Sequence, residues 1–217
     1  MARTNSIVKF SRRNFQAICD ELATRDASLA SILRHHGYPP FWVRPNSFET
    51  LVLTILEQQV SLASAYAAYK KLKERIDPIS PEALLSLTDE DLRACYFSRQ
   101  KIVYVRGLAG AIQSGAINLA GMERLPNEEV RTRLKALKGI GDWTVDIYLI
   151  HALRRTDILP LGDLALVNSL KQLLSLPAGT TKENLLLIAE PWRPYRSLAT
   201  MILWHHYIQT RNIKLLH

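Results

Sequence analysis

Hydrophobic positions recur at helical spacing along most of this chain, in segments separated by short polar, proline-bearing breaks. Phe15 to Leu33 carries apolar residues at mixed spacings of three and four. His35 to Asn46 then reads as a loop, interrupted by Gly37, Pro39, Pro40 and Pro45. Ser47 has the character of an N-cap, with Thr50 as an imperfect capping-box partner, and Phe48, Leu51, Val52, Ile55 and Leu56 follow at helix period. Ser61 opens a second, Ala-rich helix over 62–76, whose small residues allow another helix to approach closely. Ser80 with Pro81 at the first helical position, and Thr88 before Glu90 and Asp91, start two short helices. Longer helices are predicted over 98–114, 128–137 and 143–153. Asp163 begins another, Thr180 or Thr181 caps the penultimate one, and Pro194 starts the last. The only short strand candidate, Asp157 to Leu161, is too isolated to form a sheet. The expected class is all-α.

Composition narrows the partners. The chain has 217 residues, 47% of them hydrophobic, which fills one large core or two smaller lobes. Lys and Arg outnumber Asp and Glu by 28 to 20, a formal charge of +8 that suits a polyanionic partner. Its two cysteines, Cys19 and Cys95, make neither a metal-ligand pattern nor a disulfide framework. His35, His36, His205 and His206 form no recognised metal motif. No signal peptide is evident, and no apolar run approaches the roughly eighteen residues of a membrane span. The expectation is a monomer in the cytoplasm or nucleoid, or in the nucleus of a eukaryote, with no membrane partner.

One segment carries candidate chemistry. Leu134 to Asp146 reads LKALKGIGDWTVD: a helix end, two glycines around Ile140, and a new helix beginning at Asp142 or Trp143. Gly139 and Gly141 permit backbone conformations or approaches that a side chain blocks, while Ile140 can plug the gap between two helices. The free N–H groups of such a helix start can receive a phosphate, holding DNA without reading its sequence. A plain helix–glycine–helix turn is the competing reading. Asp142 opposes a phosphate unless its carboxylate turns aside to cap the helix.

The longer pattern Leu137-x-Gly139-Ile140-Gly141-x-Trp143-Thr144 resembles the helix-hairpin-helix of the HhH-GPD base-excision DNA glycosylases. Farther on, Leu159 to Leu166, containing Pro160, Gly162 and Asp163, resembles the loop that carries that superfamily's aspartate. Upstream, Phe48-Glu49-x-Leu51 and Ile55 to Ser61 are similar to its glutamine-bearing helix end, and Leu92-Arg93 with Ser98 and Lys101 to another block. Trp192 to Ser197 followed by Trp204 is similar to the end of the 3-methyladenine DNA glycosylase II branch. The resemblance runs from about 48 to 206, with its parts in the family's order. It implies an HhH-GPD fold of two helical lobes around an active-site cleft: 1–47 with 164–217 as the terminal lobe, and 48–163 as the central lobe holding the hairpin at 134–146. The chain resembles a compact form, without the N-terminal sheet domain of the bacterial inducible enzyme.

What the resemblance implies is duplex DNA bound through the hairpin and one damaged nucleotide flipped out for attack. Asp163 is then the catalytic carboxylate, meeting the positive charge that develops on the sugar; the competing reading is an ordinary N-cap. Bifunctional members carry a lysine just after the hairpin, where this chain has Trp143, and Lys138 lies before the glycines. The expected chemistry is therefore monofunctional hydrolysis of alkylated purines such as 3-methyladenine and 7-methylguanine. Trp143 and Trp204, with Tyr195 secondary, are the pocket residues so implied; as local sequence, both tryptophans also read as core. Gln58, Gln59, Ser61 and Leu62 match the region beside the flipped base, and Lys138, Gly139, Ile140, Gly141 and Thr144 complete the DNA-binding set. Arg3, Lys9, Arg12 and Arg13 are further phosphate candidates, although solvation alone explains them. Departures are Glu57 and Tyr96, each where glycine is common.

No cofactor is expected. With no cysteine after Cys95, the superfamily's four-cysteine iron–sulfur loop is excluded, whereas a monovalent cation on hairpin carbonyls is a family feature composition does not address. The alternatives are release of hypoxanthine, ethenoadenine or uracil, a non-catalytic DNA-binding module, and a helical protein-interaction bundle.

Overall fold

A computed structural model describes residues 8–213; Arg3 lies outside them. In chain order its α-helices are α1 (Phe15–Arg25), α2 (Ala27–His36), α3 (Phe48–Glu57), α4 (Leu62–Arg75), α5 (Pro81–Ser86), α6 (Asp89–Ala94), α7 (Arg99–Gln113), α8 (Leu119–Met122), α9 (Asn127–Lys135), α10 (Asp142–His151), α11 (Leu164–Leu173), α12 (Lys182–Ile188) and α13 (Arg196–Thr210). A 3-10 turn at Glu190–Trp192 precedes the last. Among the described residues no strand forms, and one isolated bridge joins Lys9 to Arg155.

The caps show why the helices begin where they do. Ser47, Ser61, Ser80, Thr88, Ser98 and Thr181 each accept a backbone N–H of the first turn that would otherwise lack a partner. Thr88 and Asp91 make a complete capping box. Thr50 does not complete one, because its hydroxyl donates to the Pro45 carbonyl at 2.7 Å. The mixed spacing over 15–33 belongs to two helices. Asp26 ends α1 and caps α2, accepting from Ser28 N and Leu29 N. The last helix starts at Arg196, two residues beyond the expected Pro194, which follows Arg193 through a cis peptide bond.

The fold divides into two compact units, with a boundary inside α10 after Tyr148, where the expected one lay after Asp163. The first is Arg44–Tyr148. In it α3 packs on α4 and α7, and α5 packs on α7. Leu51, Val52, Ile55 and Leu56 meet this core on one side of α3, and Ala65 and Ala68 keep α4 close. The second joins 8–43 to 149–213. Its centre is α13, buried from Arg196 to His205 and packed on α1, α2 and α11. Ser169 of α11 donates to the Leu203 carbonyl at 2.8 Å, which fixes the register of α11 on α13. Trp192 is buried against this core, and its Nε1 donates to Asp26 at 2.8 Å.

Candidate functional site

The hairpin belongs to the first unit. Gly139 has φ +86°, a left-handed conformation that only glycine adopts without strain. A Cβ there would lie 2.1 Å from Cγ of Tyr104 on α7, so the glycine is also required by close approach. Gly141 is different: a Cβ on it meets nothing within 4 Å. Ile140 is buried between the two, as a plug should be. Lys135 to Gly141 line an open depression of about 480 Å³. Lys138 is exposed at its rim. Asp142 is the first residue of α10, and Lys135 draws its carboxylate towards α9 at 2.6 Å.

Two expected DNA contacts are instead engaged within the protein. Gln58 Nε2 donates to the Gly139 carbonyl and to Thr144 Oγ1, both at 2.9 Å. Thr144 is buried. This amide therefore clamps the end of α3 to the hairpin. Ser61 is exposed, but its hydroxyl caps α4 through Ser64 N at 3.2 Å. What remains outward between α3 and α4 is Gln59, at φ +57°, with Val60 and Leu62. Lys101 Nζ donates to the Leu56 carbonyl at 2.6 Å and closes the C-terminus of α3; burial holds its ammonium below the usual lysine range.

Both departures from the glycine pattern have structural answers. Glu57 is nearly enclosed, its side chain 7% exposed, and it pairs with Arg44 through two bonds of 2.9 and 2.6 Å. Its charge is thus neutralised locally. Tyr96 sits at φ +65°, which is why a glycine suits the position, and its side chain stands 64% exposed. Trp143, in the first turn of α10, is half-buried.

Asp163 belongs to the second unit and caps α11. Its Oδ1 accepts from Leu166 N at 2.8 Å and from Trp204 Nε1 at 2.9 Å. The helix N-terminus and the indole N–H together fix the position of that oxygen. Trp204 is 8% exposed, and one face of its indole stacks on His151, with ring centroids 5.4 Å apart and planes 7° from parallel. One face of the Trp204 indole is therefore covered within the protein. The Tyr195 ring lies under the Arg25 guanidinium at 5.6 Å, and Arg25 Nη1 donates to the Arg193 carbonyl. His151 had no sequence signal, since it belongs to no motif and reaches Trp204 only through folding. Among the described residues no group of three or more His, Cys, Asp or Glu is placed to hold a metal ion, and no helix is long and apolar enough to cross a membrane.

A glycine-bearing hairpin on one unit and a capped, doubly hydrogen-bonded aspartate on the other characterise a class, and the sequence pattern of that class matches residues 52–194: the chain belongs to the HhH-GPD superfamily of base excision DNA repair proteins. Among similar proteins, DNA-3-methyladenine glycosylase 1 of Schizosaccharomyces pombe is 36% identical over 161 residues, covering 72% of this chain and 71% of that protein. A putative DNA-3-methyladenine glycosylase of Bacillus subtilis is 29% identical over 185 residues, 82% of this chain but only 64% of the relative. The chain thus spans less than two thirds of the length of that Bacillus protein. A solved structure of the S. pombe 3-methyladenine DNA glycosylase in complex with abasic DNA matches with a TM-score of 0.80 and 32% identity, over 87% of this chain and 95% of that one.

Proposed function

We propose that this protein is a monofunctional DNA glycosylase that releases alkylated purines, 3-methyladenine and 7-methylguanine, from duplex DNA in base excision repair. The observation that carries this reading is the anchored carboxylate of Asp163, with Leu166 N and Trp204 Nε1 both donating to Oδ1. Such a group does not need to reorganise when positive charge develops beside it.

An alkylated purine is a cation in the nucleotide. When the bond between C1′ and the base nitrogen breaks, its electron pair neutralises the base, which leaves without a general acid. The sugar becomes an oxocarbenium cation, and Asp163 supplies the opposing charge. Water adds its oxygen to C1′ and gives up a proton, leaving an abasic sugar in an unbroken strand. Trp143 occupies the place of the lysine that would attack C1′ in bifunctional relatives, so no Schiff base forms. The formal charge of +8 and the open hairpin backbone with Lys138 support binding to the DNA backbone, with Gln59 and Leu62 the outward side chains beside the base. Carbonyl oxygens from Leu137 to Gly141 are of the kind that suits a hard cation, but those of Leu137, Gly139 and Gly141 already accept from Ile140 N, Gln58 Nε2 and Val145 N.

The test is incubation with methylated duplex DNA followed by chromatography of the released bases. Free 3-methyladenine from wild type, none from Asp163→Asn, and DNA affinity retained in the variant are the expected results. No free base from methylated DNA, with release of hypoxanthine or uracil from duplexes that contain those bases, would discard the alkylation reading. A protein–DNA adduct trapped by borohydride would discard monofunctional hydrolysis.

A further inference from the structure

Oδ1 of Asp163 is held by two donors of unequal stiffness. Leu166 N is fixed by the helix. Trp204 Nε1 lies at the end of a side chain, and its N–H points along the plane of the indole. Whatever fixes that plane fixes the direction of the hydrogen bond. The flat surface against it is His151, the last residue of α10, stacked at 5.4 Å and 7°. His151 is itself held, because its Nδ1 lies 2.6 Å from the Trp42 carbonyl. A carbonyl only accepts, so Nδ1 carries the proton and the imidazole cannot turn without breaking that bond. Trp42, His151, Asp163 and Trp204 all belong to the same compact unit.

We propose that His151 is a positioning residue for base release: anchored on the Trp42 carbonyl, it stacks on Trp204 and thereby aims the indole N–H at the Asp163 carboxylate. The role rests on the reading of Asp163 given above, and it needs a flat ring at 151 rather than a proton donor to substrate. A catalytic carboxylate displaced slightly from its working geometry loses rate rather than affinity.

The experiment compares wild type with His151→Ala, His151→Phe, Trp204→Phe and Asp163→Asn. Single-turnover base release and DNA Kd are measured for each. In protein carrying ¹⁵N-labelled tryptophan, the indole signals of the four tryptophans are recorded, with Trp204 assigned by its absence in Trp204→Phe. His151→Ala should slow release on the order of tenfold, leave Kd within about twofold, and move the Trp204 indole signal in the direction that Asp163→Asn moves it. His151→Phe keeps the flat face but gives up the bond to the Trp42 carbonyl, and should restore rate and signal in part. His151→Ala combined with Trp204→Phe should be no slower than Trp204→Phe alone, since both act through one bond. Should His151→Ala not fold, His151→Leu fills the volume without a flat face and should show the same slowing. A wild-type rate in a folded His151→Ala or His151→Leu, or failure of His151→Phe to restore any of the rate, would overturn the proposal while Asp163→Asn stayed inactive. Undiminished release by Asp163→Asn would overturn the reading of Asp163 itself.

Discussion

Replacing Gly139 by alanine should destabilise the first unit severely, and the structure says by how much. Two costs add. A residue other than glycine at φ +86° carries roughly 1–2 kcal/mol of backbone strain. The new Cβ would also lie 2.1–2.3 Å from three ring carbons of Tyr104, so the ring or the hairpin must move. Overpacking of that kind costs typically about 1–3 kcal/mol. The expected total is about 3 kcal/mol, on the order of a hundredfold in the folded-to-unfolded ratio. Urea denaturation followed by circular dichroism measures it. The two costs separate in a cycle with Tyr104→Ala: once the ring is gone, Gly139→Ala should cost only the backbone strain. The second hairpin glycine is the control. Gly141→Ala meets nothing within 4 Å and should cost at most about 1 kcal/mol, the difference between glycine and alanine ahead of a helix. In a fluorescence-anisotropy titration that variant should nevertheless bind damaged and undamaged duplex more weakly, if the open backbone face is where phosphate lies. Gly139→Ala within 1 kcal/mol of wild type, or an unchanged cost in the Tyr104→Ala background, would refute the steric argument.

Three further outcomes are expected. Arg131→Met should lower stability at pH 7 by about 2 kcal/mol, because Arg131 pairs with the largely buried Asp146 carboxylate; burial already pushes that carboxyl above its usual range, so the loss should shrink as the pH is lowered and the carboxyl protonates. Tyr96→Gly should raise stability by about 1 kcal/mol in the same denaturation assay, since the exposed side chain has little packing to lose and the φ of +65° no longer strains the backbone. Burial, with His36 and His205 nearby, holds the His206 imidazole below its ordinary value. The unfolded chain therefore takes up a proton first as the pH falls below about 6.5, and stability should decline there; thermal melts of His206→Gln should show a shallower decline.

How much of this was legible in the sequence differs from feature to feature, for physical reasons. Helix starts were readable because capping is local: Ser47, Ser61, Ser80, Thr88 and Ser98 bond to backbone three residues on. The hairpin was readable because glycine spacing reports backbone freedom, and Asp163 because a carboxylate opening a helix after a Gly/Pro-rich loop is a short-range pattern. The sequence could not separate the two glycines, which look alike but differ by the Tyr104 ring, a residue of another helix. Nor could it say where side chains point. The bond from Gln58 to Thr144 was not legible, because the end of α3 meets the hairpin only once the chain is folded. Trp204 read as a stacking surface, and tertiary structure turned its N–H to Asp163 and one face to His151. Local sequence determines which backbone conformations and caps are available. Which polar group reaches which partner across 41 residues, as in the Asp163–Trp204 bond, is decided by the packing of α11 on α13 and by the bonds of Thr156 and Ile158 to Ser197 at the start of α13.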